Sequence, residues 1–178
     1  MTALKPPDRL ATARLCLRKP TMDDAQALFD AYASDPDVPR YMTWVPHKDV
    51  SETRSFLEDC LAGWRDGTMI DYIIERRSAP IGMIGFHARP HRVNFGYVLA
   101  RPHWGNGYMP EALTALVDWA LDQDDIHRAQ AYCDVDNPAS ARVMEKAGMV
   151  FEGIVRRYSL HPNVSDVPRD CFMYAKVR

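Results

Sequence analysis

A strand-like segment, a glycine-containing loop and an amphipathic helix follow one another in the middle of the chain, and this order constrains the fold most. The loop is Trp104-Gly105-Asn106-Gly107-Tyr108, and its glycines let the backbone turn tightly and approach a ligand without interference from a Cβ. The first amides of the following helix lack partners within the helix, and the helix dipole is positive at that end. The segment therefore predicts an anion-binding loop, although an ordinary glycine-bearing turn remains an alternative.

The residues before this loop show one strand pattern and two helix patterns. Apolar residues alternate over residues 13–18 and predict a first strand. Thr21 followed by Asp24 is typical of a helix N-terminus, and this helix is expected to end near Asp35-Pro36, since the residue before a proline avoids the helical region. A second apolar stripe with helical spacing stops at Gly67 and predicts a second helix.

The remaining pattern predicts short strands interleaved with two further helices. The expected strands span residues 71–76, 81–87, 94–99, 129–135, 151–160 and 170–177. A third helix follows the glycine loop, and a fourth begins at Asn137-Pro138 and ends near Ala147, with Gly148 after its last turn. The expected fold class is therefore α/β (mixed α+β), as one domain over residues 1–178 with helices on both faces of the sheet.

Composition excludes several classes of protein. A chain of 178 residues with a net charge of −2 and no basic run favours neither a nucleic-acid partner nor an anionic membrane partner. No stretch approaches the ~20 apolar residues of a membrane span, and the N-terminus has no apolar signal segment, so a cytoplasmic location is expected. The four cysteines are far apart and form no CxxC pair or zinc spacing, which predicts reduced thiols and no metal site.

The segment Asn137-Pro138-Ala139-Ser140 is the second candidate for chemistry. Helix capping explains its first two residues, because Asn is a good N-cap and Pro suits the first helical position. Capping explains Ser140 less well, because a capping box prefers Glu or Gln there. A hydroxyl on the first turn of a helix can instead face a bound thiol and give it a proton.

Together the two segments resemble the GNAT acetyltransferase superfamily, and most closely its RimJ/RimL-like branch of ribosomal-protein N-terminal acetyltransferases. The runs that carry the resemblance are NFGYVLARPHWGNGYMPEAL and NPASARVMEKAGMVFEGIVRR, with Arg169-Asp170 before a tyrosine-bearing last strand. The resemblance covers nearly the whole chain. It implies the GNAT fold: a central mixed, mostly antiparallel twisted sheet of about seven strands, with four helices on both faces and splayed central strands.

The resemblance also implies a coenzyme site, with acetyl-CoA as co-substrate. Backbone amides of the loop would hold the pyrophosphate, at Gly105, Asn106, Gly107, Tyr108 and Met109, and Trp104 would also belong to the coenzyme site. The preceding strand would bond the pantetheine through Val98, Leu99 and Ala100, and one of those amides would polarise the thioester carbonyl. Asn137 would also bond the pantetheine, and Arg142 and Lys146 would reach the nucleotide phosphates.

The catalytic groups are less clear from the sequence. Many relatives place a tyrosine acid where this chain has Met144, which has no proton to donate. RimL-like members offer a serine instead, so Ser140 becomes the candidate acid, with Asn137 beside it. Relatives often have a glutamate on the central strand, but in this chain the corresponding predicted strand starts with Asn94. The remaining candidates for the base are Glu75, Asp134, Tyr97 and His87, and the other histidines are expected on the solvated surface.

The expected reaction is direct acetyl transfer to a primary amine in a ternary complex, most simply to the α-amine of a peptide or protein N-terminus. The alternatives are a small-molecule amine, such as an amino acid, polyamine or aminoglycoside, and a non-catalytic acyl-CoA-binding sensor. A monomer or a homodimer is compatible with the sequence. Tyr41 and Trp44 either line the acceptor pocket or pack in the core, and Arg156, Arg157 and Arg169 either touch coenzyme phosphates or form a charged edge.

Overall fold

An eight-stranded sheet with the order β1-β2-β3-β4-β5-β6-β8-β7 forms the centre of the computed structural model, which describes residues 4–178. The strands are β1 (Arg9–Ala11), β2 (Cys16–Arg18), β3 (Met69–Arg76), β4 (Ala79–Arg89), β5 (Arg92–Leu99), β6 (Arg128–Asp134), β7 (Val150–Ser159) and β8 (Arg169–Val177). The helices are α1 (Ala25–Leu28), α2 (Val50–Asp66), α3 (Tyr108–Leu121) and α4 (Pro138–Lys146). The predicted mixed class and mostly antiparallel sheet are confirmed.

The first strand of the prediction is instead a hairpin. Residues 13–18 were expected as one strand, but β1 and β2 pair antiparallel, with Arg9 opposite Arg18. A turn separates them, because the Thr12 amide donates to the Leu15 carbonyl at 2.9 Å and the Thr12 hydroxyl accepts from the Leu15 amide at 3.1 Å. This turn leaves Arg14 exposed, where it contacts the glycine loop described below.

The first N-terminal helical segment begins at its predicted cap, and the second helix ends at its predicted glycine. Thr21 and Asp24 form a capping box before a 3-10 turn that leads into α1, and a π-helical turn over Phe29–Ala33 follows it. Helix α2 has Asp49 as its N-cap and ends at Gly67, whose φ of 66° lies in the left-handed region that favours glycine. Both helices pack on one face of the sheet.

Apolar side chains form a core on each face of the sheet. The larger core lies between the sheet and α3 and α4, and it includes Leu116 and Met144, both with no exposed area. The smaller core lies under α1 and α2 and includes Leu28 and Leu57. Within residues 4–178, no helix is both long and apolar enough to cross a bilayer. The four cysteines are free thiols, and three of them are buried.

The sheet opens between its two central strands. β5 and β6 are parallel and pair only from Arg92 opposite Arg128 to Phe95 opposite Ala131. Beyond Phe95, β5 continues to pair with β4 and β6 continues to pair with β8. The carboxyl-terminal halves of β5 and β6 therefore diverge, as expected, and the space between them forms a cleft.

Candidate active site

A cleft of about 850 Å³ occupies the opening between β5 and β6. The glycine loop and the first turns of α3 and α4 form one side of the cleft. The other side is formed by the loop after α1 and by side chains from β4, β6 and the turn before β8. The predicted residues that line the cleft are Val98, Leu99, Trp104, Gly105, Gly107, Tyr108, Met109, Asn137, Ser140, Arg142 and Lys146. Ala100 and Asn106 are not among its lining residues.

The backbone of the glycine loop presents unpaired amides. Gly105 and Gly107 have φ values of 76° and 75°, in the left-handed region that favours glycine. Among residues 4–178, no acceptor lies within hydrogen-bonding distance of the amides of residues 105–109, and Pro110 has no amide hydrogen. Unpaired amides at the N-terminus of a 14-residue helix form an environment that suits an anion.

Arg14 holds the carbonyl side of this loop. Its guanidinium donates to the carbonyls of Asn106 at 3.0 Å and Gly107 at 3.2 Å, and its Nε donates to Glu111 at 2.6 Å. The exposed Asn106 side chain donates to the carbonyl of Trp104 at 3.0 Å. Arg14 and the Asn106 side chain therefore stabilise the loop from the surface, while its amides remain unpaired. Sequence reasoning missed Arg14, because it lies far from the loop in the chain.

The backbone of β5 divides its hydrogen bonds between β4 and the cleft. The Ala100 amide donates to the Ile81 carbonyl at 2.9 Å, and the register with Val98 opposite Met83 is regular. Because directions alternate along an antiparallel strand, Val98 also turns its backbone groups toward β4, whereas Tyr97 and Leu99 turn theirs toward the cleft. Of the three predicted backbone donors, only Leu99 is therefore directed at the cleft, and the Tyr97 amide was missed.

Trp104 covers the end of this strand. Its indole nitrogen donates to the Leu99 carbonyl at 2.6 Å, while half of the residue remains exposed. The Leu99 carbonyl points away from β4, which agrees with the alternation of backbone directions. The side chain of Trp104 thus forms part of the cleft wall, whereas its amide is already bonded to the Arg101 carbonyl at 3.0 Å.

Ser140 is held in a small hydroxyl network. Asn137 caps α4 by accepting a hydrogen bond from the Ser140 amide at 3.2 Å. The Tyr97 hydroxyl lies 2.8 Å from Ser140 Oγ and 3.2 Å from the Ser140 carbonyl. Burial raises the pKa of Tyr97 well above its ordinary value, so the phenol stays protonated, and either hydroxyl of the pair can donate to the other. Met144, in contrast, lies fully in the core.

Two of the carboxylates considered as bases are held in ion pairs. Glu75 pairs with Arg18 at 2.5 Å, and it does not line the cleft. Asp134 has no exposed area and accepts two hydrogen bonds from Arg169, at 2.5 Å and 3.0 Å. Burial alone would raise the pKa of Asp134, but these bonds and the adjacent guanidinium charge lower it below its ordinary value. Arg169 therefore forms ion pairs with Asp134 and Asp136. Together with Arg156 and Arg157 it lines a separate surface pocket.

Another wall of the cleft lies on the face of the sheet that carries α1 and α2. It includes Tyr41 from the loop after α1, His87 and Asn94 from β4 and β5, Tyr132 from β6, and His161. Trp44 packs instead against Tyr32 and His47 in the smaller core. The Asn163 side chain joins the turn before β8 to the loop after α1, because it donates to the Pro39 and Trp44 carbonyls at 2.7 Å and 2.8 Å.

His161 contradicts the expectation that every histidine other than His87 is a solvated surface residue. It is only 2% exposed, it lines the cleft, and its Nε2 lies 3.7 Å from Asp134 Oδ2. The position has no local signal in the sequence, because its burial depends on the turn before β8 folding back over β6.

The chain is similar to acetyltransferases in both sequence and fold. The family described as Acetyltransferase (GNAT) domain matches residues 14–150. The uncharacterized N-acetyltransferase YoaA of Bacillus subtilis (strain 168) is 32% identical over 174 residues, which cover 95% of this chain and 96% of that protein. The ribosomal-protein-serine acetyltransferase of Escherichia coli (strain K12) is 29% identical over 110 residues, 60% of this chain and 59% of that protein.

A solved structure shows the same fold. RimL, a ribosomal-protein α-N-acetyltransferase solved in complex with coenzyme A, superposes with a TM-score of 0.84 at 24% identity, over 94% of this chain and 96% of that chain. The chain therefore belongs to the GNAT acetyltransferase family. It is an N-acetyltransferase, and its structural neighbours include ribosomal-protein acetyltransferases.

Proposed function

We propose that this chain transfers the acetyl group of acetyl-CoA to the α-amine of a peptide or protein N-terminus, by direct attack in a ternary complex. The observation that carries the proposal is a single cleft with unpaired amides in the loop at residues 105–109 and paired hydroxyls at Tyr97 and Ser140. The amides suit a pyrophosphate, and the hydroxyls suit a thiolate leaving group.

The coenzyme would enter along the divergent half of β5. Its pyrophosphate would accept hydrogen bonds from the loop amides, and its nucleotide phosphates would lie within reach of Arg142 and Lys146, which line the cleft on α4. The backbone groups of Tyr97 and Leu99 that face the cleft would bond the pantetheine as a neighbouring strand does. One of these amides would donate to the thioester oxygen as negative charge develops there.

The leaving thiolate would receive its proton from Ser140. As the amine nitrogen forms its bond to the carbonyl carbon, the carbon–sulfur bond breaks and sulfur takes the Ser140 hydroxyl proton. Tyr97 stays protonated and lies 2.8 Å from Ser140 Oγ, so it is placed to donate to the serine oxygen as that oxygen gives up its own proton. Holding both substrates in one cleft would supply much of the acceleration.

The acceptor end of the cleft favours a singly charged amine over a polycation. The acidic residues that line the cleft are Asp37 and Asp136, and each is already paired, with Arg101 at 2.6 Å and with Arg169 at 2.5 Å. A polyamine or aminoglycoside would require free carboxylates for charge-assisted hydrogen bonds. An N-terminal amine has a reference pKa near 8, so an appreciable neutral fraction exists at pH 7 without a strong base. The likeness to ribosomal-protein acetyltransferases supports the same acceptor class.

One assay separates this function from its rivals. Release of free thiol from acetyl-CoA would be measured with short peptides that have free or blocked N-termini, and with spermidine, an aminoglycoside and free amino acids. We expect the highest kcat/KM with a free-terminus peptide and none with its blocked form. Faster turnover of a small amine than of every peptide would overturn the acceptor class, and tight acetyl-CoA binding without turnover of any amine would indicate a sensor.

A further inference from the structure

The ring of His161 is buried at the cleft. Two side chains lie near its Nε2 atom, and its Nδ1 atom has no hydrogen-bond partner in the described part of the chain. Nε2 lies 3.7 Å from Asp134 Oδ2 and 3.8 Å from Cys171 Sγ. Nδ1 is buried and has no hydrogen-bond partner among residues 4–178. A buried polar atom without a partner is rare in native structures and calls for an explanation. His161 lines the cleft, but Nδ1 itself has almost no solvent-accessible area, so a small movement of the ring would let a substrate bound in the cleft supply the partner.

The charges around the ring favour one of its two neutral tautomers. Asp134 is kept ionised by Arg169, so a carboxylate faces Nε2. The other group facing Nε2 is the Cys171 thiol, and burial raises its pKa to about 11, which keeps it neutral. A carboxylate beside one ring nitrogen favours the tautomer with its proton on that nitrogen. Nδ1 then carries a lone pair and is an acceptor.

The ring also lies on the correct face of the sheet for an incoming amine. Asp134 and Tyr132 alternate with Cys133 along β6, so their side chains point to the face that carries α1 and α2. His161 contacts Asp134 on that face, where Tyr41, His87 and Asn94 also line the cleft. Ser140 projects from α4, on the opposite face. The acid and the ring are therefore on different sides of the position where the thioester would lie.

We propose that His161 Nδ1 is the general base of the reaction, with Asp134 as the residue that positions it. This inference rests on the proposed function. The amine nitrogen forms its bond to the acetyl carbon, and its surplus proton passes to Nδ1, directly or through one water. The carbon–sulfur bond breaks and the sulfur takes a proton from Ser140. The imidazolium then lies against the Asp134 carboxylate and returns its proton to solvent after product release.

The other candidates fit this role less well. Glu75 lies outside the cleft in an ion pair, and Asp134 holds its oxygens toward Arg169. Tyr97 stays protonated. His87 lines the cleft, but it is exposed and makes no side-chain hydrogen bond among the described residues, so no contact holds its ring in place.

The test uses His161→Gln, which fills similar space and keeps a donor toward Asp134 but has no basic nitrogen. The acceptor is a free-terminus peptide that the wild-type protein acetylates. We expect kcat to fall by about 10²-fold or more, the usual range for loss of a general base, with unchanged acetyl-CoA affinity by calorimetry and an unchanged melting temperature. His127→Gln is the matched control, because His127 lies outside the cleft, and His87→Gln tests the rival base.

The pH dependence of kcat/KM gives a second test that needs no substitution. A weakly basic acceptor, such as a peptide that carries an aminooxy group in place of its α-amine, stays largely neutral from mildly acidic to neutral pH, so a rise of kcat/KM over that range reports a base on the enzyme. We expect this rising limb in the wild type and its loss in His161→Gln. A flat pH profile of the wild-type protein would overturn the proposal. So would a folded His161→Gln protein that keeps the wild-type kcat and the rising limb. The proposal would also fail if His87→Gln, and not His161→Gln, lowered kcat and removed the limb. Absence of turnover with every amine would instead reject the proposed function.

Discussion

Tyr97 Oη lies 2.8 Å from Ser140 Oγ, and the two residues come from β5 and α4, on either side of the opening in the sheet. Burial keeps the phenol protonated. The pair can therefore move a proton toward a thiolate without a charged residue at that position. In the proposed mechanism this pair would take the place of the tyrosine acid that many relatives have where this chain has Met144.

The first prediction concerns this hydroxyl pair. Ser140→Ala removes the proposed proton donor, and kcat is expected to fall by about 10²-fold, at the low end for general acid catalysis, with little change in acetyl-CoA affinity. Tyr97→Phe should give a smaller fall, because Ser140 still carries its own proton. The double variant should be no slower than Ser140→Ala, since Tyr97 acts through the serine. Steady-state kinetics with calorimetric binding would check this, and equal effects of the single variants that multiply in the double variant would contradict it.

The second prediction concerns the glycine loop. Gly107→Val adds a side chain at a φ of 75° beside the unpaired amides, so we expect acetyl-CoA binding to be lost by calorimetry. Gly148→Val is the matched control, because Gly148 has a φ of 79° but ends α4 outside the cleft. Both variants should lose similar stability in thermal melts. If the folded Gly107→Val protein binds acetyl-CoA as tightly as the wild type, the loop does not hold the pyrophosphate.

The third prediction concerns Arg14, which donates to two carbonyls of the loop from the surface. Arg14→Gln should raise KM for acetyl-CoA and leave kcat nearly unchanged, because the loop amides lose their support but the hydroxyl pair does not. Arg76→Gln is the control, since Arg76 also stacks on Tyr108 but makes no bond to the loop carbonyls. A fall in kcat without a change in KM would contradict this role.

The parts of the site that the sequence predicts are those fixed by local backbone chemistry. Glycines with positive φ, a helix N-terminus and an Asn-Pro cap all act within a few residues, so Gly105, Gly107 and Asn137 could be identified directly. Local patterns also predict the order of strands and helices along most of the chain, whereas the arrangement of the strands in the sheet was expected only from the family resemblance. The hairpin of β1 and β2 was missed because a strand of three residues is too short to show a period.

The parts that the sequence does not predict depend on register or on distant contacts. Which amides of β5 face the cleft follows from the pairing of Ala100 with Ile81, and a shift of one residue would exchange Val98 for Leu99. The burial of His161 depends on the turn before β8 reaching Asp134, and no local pattern encodes that contact. Catalytic groups assembled from separate elements are therefore the last part of such a site to be identified.

The last prediction concerns the ion pair of Asp134 and Arg169 and its dependence on pH. The pKa of Asp134 is lowered in the folded state, because the hydrogen bonds and charge of Arg169 outweigh burial. A carboxyl whose pKa falls on folding contributes stability above its unfolded pKa of about 3.9, and this contribution is lost as pH drops through the folded value. In Arg169→Met the stabilising partner is gone and burial remains, so the pKa of Asp134 should rise.

Arg169→Met should therefore lower the melting temperature at neutral pH and move the midpoint of acid unfolding to higher pH. Arg128→Met is the matched control, because Arg128 pairs with Glu152 at a more exposed position, and exposed pairs contribute little. Circular dichroism melts and acid titrations of both variants would measure the difference. Equal acid midpoints for Arg169→Met and the wild type would show that Arg169 does not lower the pKa of Asp134 in the folded protein. The proposal that an ionised Asp134 positions His161 would then lose one of its arguments.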